Sequence, residues 1–144
     1  MQESFGAYIP FVDHLGFEMV FFDEGQSELR YAPADEHLNS FNVTHGGAVM
    51  TFLDVTMATA ARSVDKAIGV VTIEMKTSFM RPARGTLTGK GRVLHRTRSM
   101  AFTEATIFDA EGNACAHATG TFKYVNRTDP GAHKGPELHE ISTD

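Results

Sequence analysis

Hydrophobic and polar positions alternate along most of this chain, and one segment breaks the alternation. Between positions 48 and 61 the apolar residues Ala48, Val49, Met50, Phe52, Leu53, Val55, Met57, Ala58, Ala60 and Ala61 cover nearly the whole circumference of a helix. A helix apolar all round is a buried helix, so other elements must wrap it. The spacing predicts one long helix over 47–63. Alternation over 17–22 and 27–32, joined by Asp23-Glu24-Gly25-Gln26, reads as a hairpin. It resumes over 70–80, with Val71, Ile73, Met75 and Phe79 expected on one face and Thr72, Glu74, Lys76 and Ser78 on the other. Pro82-Ala83-Arg84-Gly85 ends that strand. Three more follow at 86–95, 101–108 and 114–125, separated by turns at 96–99 and 110–113. On the last of them Ala114, Ala116, Ala118 and Gly120 share a face, small enough for a helix to approach closely.

A short helix is expected over 4–14, with Phe5, Ile9, Phe11 and Val12 available for burial and Gly16 near its end. Residues 33–44 read as a polar loop carrying Asn39 and Asn42. Residues 127–144 are polar, rich in Pro, Gly and His, and without periodicity; they read as a tail behind one domain over 1–126. The elements add up to an α+β chain in which an antiparallel sheet of five to six strands curls around one central helix.

At 144 residues the chain is long enough for a real core, and its 42% hydrophobic and 22% charged content is ordinary for a globular protein. The first residues lack the basic and apolar stretches of a secretory signal, and no apolar run approaches the ~20 residues that span a bilayer. A cytoplasmic protein without a membrane partner is the expectation. Cys115 is the only cysteine, which excludes an intrachain disulfide and a cysteine metal cluster. The seven histidines form no HxxxH or HxH pair with a carboxylate, so no metal is expected. Net charge of −5 argues against nucleic acid as a partner. Yet Arg81, Arg84, Lys90, Arg92, Arg96 and Arg98 place six of 13 basic side chains in 18 residues without an acid. That run is either a solvated strand face or a site for a phosphorylated ligand, because Arg and Lys are the natural partners of phosphate oxygens.

The chemistry concentrates in Asn39-Ser-Phe-Asn-Val-Thr-His45-Gly46-Gly47 and the helix it opens. Glycines at a helix start leave backbone N–H groups open at the positive end of the helix dipole. Gly46-Gly47 lacks the lysine of a P-loop, and no GxSxG elbow occurs. Asp54 lies farther along, with Leu53 and Val55 beside it and Met50, Met57 and Ala58 one turn away. An unpaired carboxylate in apolar surroundings is costly, so its presence points to a task. An anion site and a base in one element suggest hydrolysis through a transition state that develops a negative oxygen.

These residues resemble the hotdog-fold acyl-CoA thioesterases, of the phenylacetate-degradation type within the hydroxybenzoyl-CoA thioesterase branch. The resemblance covers roughly residues 15–125. It rests on Asn39, on His45-Gly46-Gly47 six residues later, on Asp54 nine residues after the His, and on the strand from Thr72 into Pro82-Ala83. It implies that the Gly46 N–H is the oxyanion donor, with Gly47 supporting the turn. Asp54 is then the general base that activates water, or a nucleophile forming a transient anhydride. Asn39 helps place the thioester or the water, His45 holds the site architecture, and the Thr72 hydroxyl assists at the carboxylate. The substrate is an acyl-CoA, so coenzyme A enters as part of the substrate and no other cofactor is implied. Its phosphates give the basic run a purpose, with Arg84, Arg96 and Arg98 favoured. Phe41, Met50, Phe52 and Met57 are available either to line an acyl pocket or to fill core.

Gly46 and Asp54 are eight residues apart, about 12 Å along one helix axis. A base and an oxyanion donor serving one carbonyl must both lie within ~3 Å of the reacting atoms. One chain cannot easily supply both, which predicts an obligate homodimer; the resemblance adds that such dimers often pair into tetramers. A hotdog dehydratase or hydratase is the alternative reading, though those enzymes typically use a His with an acidic partner. A non-catalytic acyl-CoA-binding module is the third.

Overall fold

In the computed structural model, which describes residues 5–127 and 138–140, a 17-residue helix α2 (Gly46–Arg62) lies against one curled antiparallel sheet. The strands are β1 (Glu18–Asp23), β2 (Gln26–Tyr31), β3 (Gly69–Phe79), β4 (Leu87–Arg96), β5 (Met100–Phe108) and β6 (Ala114–Arg127). They run in the order β1-β2-β4-β5-β6-β3, and a three-residue β7 (Leu138–Glu140) pairs with β6. This is the α+β hotdog arrangement that the sequence led us to expect. Within the expected tail, the pairing of β7 is an element that periodicity did not disclose, and the rest of that segment lies outside the described residues.

The core forms where α2 meets the sheet. Phe52, Leu53, Met57 and Ala61 are fully buried in one cluster with Leu29, Tyr31, Leu87, Ala105, Ile107, Ala118 and Phe122. Small residues set the approach: a Cβ on Gly91 would fall 2.8 Å from the Thr56 carbonyl oxygen, and one on Gly120 would fall 3.0 Å from Cε of Met57. The expected small face of β6 therefore does its work, joined by a glycine on β4. At the β1–β2 turn Glu24 (φ 50°) and Gly25 (φ 80°) both take the left-handed conformation that matches strand twist in a two-residue hairpin.

Two expectations are corrected. The first helix, α1, runs only over Pro10–Leu15 instead of 4–14. Proline inside a helix removes a hydrogen bond and clashes with the preceding turn, so the helix starts at Pro10; Ile9 is extended, and Gly16 (φ 78°) closes the other end. Val12 and Leu15 face the core, and Phe11 stays exposed. The second correction concerns β3. Its register with β6 steps from Thr72↔Phe122 to Glu74↔Thr121, so Ile73 is a bulge residue. The bulge turns Thr72 and Met75 to the same side, towards α2, and leaves Glu74 on the opposite side, where it accepts from Thr121 at 3.0 Å. Strict alternation had put Thr72 with Glu74.

The strand order leaves β3 at a sheet edge, its outer side unpaired among the described residues. The sheet therefore covers α2 on all but one flank. Along that flank Gly47, Met50, Thr51, Asp54 and Ala58 remain accessible, so the helix that looks uniformly buried in sequence is open on one side.

Candidate active site

The start of α2 is held by contacts that decide which of its N–H groups is free. The His45 backbone N–H donates to the His37 carbonyl (2.8 Å) and that of Thr44 to the Ala83 carbonyl (3.0 Å). His45 is the N-cap, and its Nδ1 accepts the Gly47 N–H at 2.8 Å. That leaves Gly46 as the donor of the pair: among the described residues its N–H meets no acceptor. A neutral His45 ring accepting at Nδ1 carries its proton on Nε2 and so offers a second donor. Asn39 Oδ1 accepts from the N–H groups of Phe41 (2.9 Å) and Val43 (3.3 Å), which leaves its amide NH₂ to offer. The same loop turns at Asn42 with φ 60°. Asn39 and Gly46 line a cleft of about 370 Å³ with Val49, Phe79, Arg81 and Ala83. A cleft rimmed by donors at the positive end of a helix suits a developing oxyanion.

Two turns on, Asp54 faces the open flank. Thr72 Oγ1 donates to Asp54 Oδ1 at 2.6 Å across from the edge strand. The carboxylate is therefore half-buried and partnered, where its neighbours in sequence suggested burial without a partner. Burial raises its pKa above the ordinary 3.8, and the Thr72 hydrogen bond works against that rise. Asp54 and Thr72 line a second cleft, about 240 Å³, with Met50, Thr51 and Met75. The Thr51 hydroxyl donates to the Gly47 carbonyl (2.8 Å) and leaves Asp54 to Thr72.

The two clefts share no residue. Within one chain the structure brings Asn39 together with Gly46, and Asp54 together with Thr72, and keeps the two pairs apart. The basic run divides as well. Arg81 lines the Gly46 cleft, and Arg84 lines the adjoining cleft of about 320 Å³ beside Asn42 and Thr44. Arg92 pairs with Glu104 at 2.6 Å, and Lys90 lies over the Phe108 ring. Arg96 lies over Tyr124, whose hydroxyl donates to Ala61 near the far end of α2, and Arg98 sits in the turn beyond it. Within one chain Arg96 and Arg98 are thus remote from Gly46. Of the apolar residues offered for an acyl pocket, Phe52 and Met57 are core, Met50 lines the Asp54 cleft, and Phe41 is 81% exposed.

Sequence reasoning did not single out Arg81 for the Gly46 cleft, although the Pro82-Ala83 turn beside it was a signal. It also missed His37, whose carbonyl holds His45. Among the described residues no three His, Cys, Asp or Glu side chains gather as a metal would require, and no helix is long and apolar enough to cross a membrane.

Comparisons with known proteins bear on the family and the fold. Residues 41–116, a little over half the chain, match the thioesterase superfamily. A curated Saccharolobus solfataricus protein named as a candidate esterase is 30% identical over 115 residues, spanning 79% of this chain and 81% of its own length. A conserved protein of Pseudomonas aeruginosa superposes with a TM-score of 0.78 at 30% identity, covering 83% of this chain and 97% of that one. A Ralstonia eutropha structure, described as a candidate thioesterase related to phenylacetic acid degradation, gives 0.74 at 27% identity and covers 81% and 92%.

Proposed function

The chain belongs to the thioesterase superfamily and is a thioester hydrolase; from that premise we propose that it is a cytoplasmic acyl-CoA thioesterase of the phenylacetate-degradation type, in the hydroxybenzoyl-CoA branch. It cleaves a small aromatic or short- to medium-chain acyl-CoA to the free acid and coenzyme A. One observation carries the reading: a carboxylate held by Thr72 on the open flank of a helix whose N-terminus keeps an unused Gly46 N–H.

In the reaction, Asp54 takes a proton from water as the water adds to the thioester carbonyl; alternatively the carboxylate adds itself and water then opens the anhydride. The carbonyl oxygen becomes an oxyanion, stabilised by the Gly46 N–H and the α2 dipole. Collapse breaks the C–S bond; on the first route the proton held by Asp54 goes to the departing thiolate, and on the second coenzyme A leaves as the thiolate and takes its proton from solvent. Thr72 fixes the carboxylate, Asn39 and His45 orient the thioester from their donor groups, and Gly47 closes the cap. Arg84, beside the Gly46 cleft, receives coenzyme A phosphate.

The separation of the two clefts supports an obligate homodimer in which each site takes Gly46 from one subunit and Asp54 from the other. The free edge of β3, 11 residues long with Ile73 and Phe79 more than half exposed, is the surface suited to pair with a second copy. Arg96 and Arg98 would then serve the partner's site. Exposed Phe21, Leu94 and Phe102 on the remaining sheet surface are consistent with pairing of dimers into a tetramer.

The test is thiol release from a panel of aryl, short-chain and medium-chain acyl-CoAs, with enoyl absorbance followed on the same samples. Thiol release without an enoyl signal is expected; absence of release across the panel would overturn the reading. Co-expressed Asp54→Asn and Gly46→Pro chains test the shared site. Each homodimer should be nearly inactive, while the heterodimer regains one intact site, about half the activity per dimer. A heterodimer as inactive as its parents sinks the shared-site reading.

A further inference from the structure

Tyr31 ends β2 inside the core, its ring 4.7 Å from that of Phe17 and 5.4 Å from that of Phe52 on α2, centroid to centroid. The side chain is completely buried, yet its hydroxyl reaches out of the core to Nδ1 of His37, at 2.7 Å. The same Nδ1 accepts the Ala34 N–H at 3.1 Å. A ring nitrogen that accepts a backbone N–H carries no proton, so Tyr31 is the donor and a neutral His37 is protonated at Nε2. His37 closes a one-turn 3₁₀ helix, Asp35–His37, and its carbonyl accepts the His45 N–H at 2.8 Å. The next residue is Gly46. One side chain and one carbonyl therefore connect a buried tyrosine to the free donor at the head of α2.

We propose that Tyr31 and His37 are positioning residues for hydrolysis: their hydrogen bond fixes the His37 carbonyl, which holds His45 and so aims the Gly46 N–H. The inference rests on Gly46 being the oxyanion donor. An oxyanion donor works only within a few tenths of an ångström of its target, whereas a polar surface loop tied down by its own turns opens readily. A fully packed tyrosine has little freedom left and can hold such a loop still. Burial pushes its phenol pKa up to about 12, so it remains a donor at neutral pH. The hydroxyl would also need an acceptor if its role were only structural. A purely structural role predicts loss of stability alone; positioning predicts loss of turnover at constant substrate affinity.

The experiment compares Tyr31→Phe, His37→Asn and His37→Leu in the full chain. Asn can present an acceptor where Nδ1 sits, and Leu cannot. Tyr31→Phe and His37→Leu should lower kcat about tenfold with KM within about twofold, and His37→Asn should stay close to the parent. Tyr31→Phe should add little to His37→Leu, because both break one connection. Hydrogen exchange at the His45 amide should accelerate about tenfold in Tyr31→Phe, with β5 and β6 amides unchanged. If His37→Leu fails to fold, Tyr31→Phe and His37→Asn decide. A Tyr31→Phe protein with a lower melting temperature but unchanged kcat and unchanged His45 exchange overturns the proposal. Should the parent release thiol from no acyl-CoA, the thioesterase reading fails; accelerated His45 exchange would still uphold the connection, and unchanged exchange would overturn it.

Discussion

On the flank of α2 that packs against β4, polar groups are consumed inside the fold. Thr56 is fully buried, donates its hydroxyl to the Phe52 carbonyl (2.6 Å), and has its own carbonyl taken by Ser27 (2.7 Å). The backbone of β4 comes so close there that Gly91 has no room for a Cβ. On the flank that faces β3 the polar groups are left available. Among the described residues Asp54 has one partner, Thr72, and opens onto a cleft bounded by Met50 and Met75. The same helix closes off its polar groups where the sheet continues and leaves them open where the sheet ends. A carboxylate could not be kept on the β4 flank without losing the close packing, and it would have neither water nor substrate to act on.

The largest effect that would break this contrast is expected from Asp54→Asn. Removing the base should lower kcat by roughly 10²–10⁴-fold while circular dichroism stays unchanged. Near-normal hydrolysis by that variant would remove the chemical role from the β3 flank. Its thermal stability should not fall, because a carboxyl whose pKa burial has raised above 3.8 costs the fold stability when ionised.

Gly46→Pro comes next and deletes a single N–H. Proline is at home in the first position of a helix, and His45, with φ −58° and ψ 139°, already has the conformation required before proline. A loss of about 10²–10³-fold in kcat without unfolding is expected. Gly46→Ala, whose Cβ would make an ordinary 3.6 Å contact with Phe79, keeps the donor and should be far milder in kcat. Equal kcat losses in the two variants would show that bulk, and not the N–H, is what matters at this position.

A third variant probes the other flank. Gly91→Ala forces a Cβ against Thr56 and Ser27 and should destabilise the fold by about 1–3 kcal/mol in a denaturant titration. Activity per folded molecule should not change; a selective loss of kcat would mean that the two flanks are not separate.

The smallest effect is expected from Thr72→Val. It removes the contribution that lowers the Asp54 pKa and leaves the burial that raises it. The base works when ionised, so activity is present above its pKa and lost as pH falls through it. The acid limb of kcat/KM should therefore lie higher in pH than an unperturbed aspartate would give in the parent and move further up in Thr72→Val. A limb that stays in place would detach Thr72 from the carboxylate.

Much of this was legible before folding. The unbroken apolar surface of 48–61 marked the helix, the alternating stretches marked the strands, and the glycines at 46 and 47 together with Asp54 marked both candidate groups. The two misreadings have different causes, one local and one belonging to a strand pair. Ignoring proline at position 10 extended the first helix backwards, and assuming strict alternation put Thr72 on the wrong side of β3. A one-residue bulge shows only when a strand is laid beside its partner, because its register is a property of the pair.

By itself, then, the sequence determined α2 and the strands β1 to β6, the glycine start of α2 and the eight-residue interval that separates donor from carboxylate. These follow from local periodicity and from helical rise, which need no long-range contact. Only the tertiary structure decided that the His45 ring spends the Gly47 N–H and spares that of Gly46. It alone placed Asp54 on an uncovered flank, paired it with Thr72, and set Arg84 near the start of α2 and Arg96 towards its far end. Each of these outcomes is a competition among hydrogen-bond partners and surfaces far apart in the chain, and it is settled only when the sheet closes around the helix.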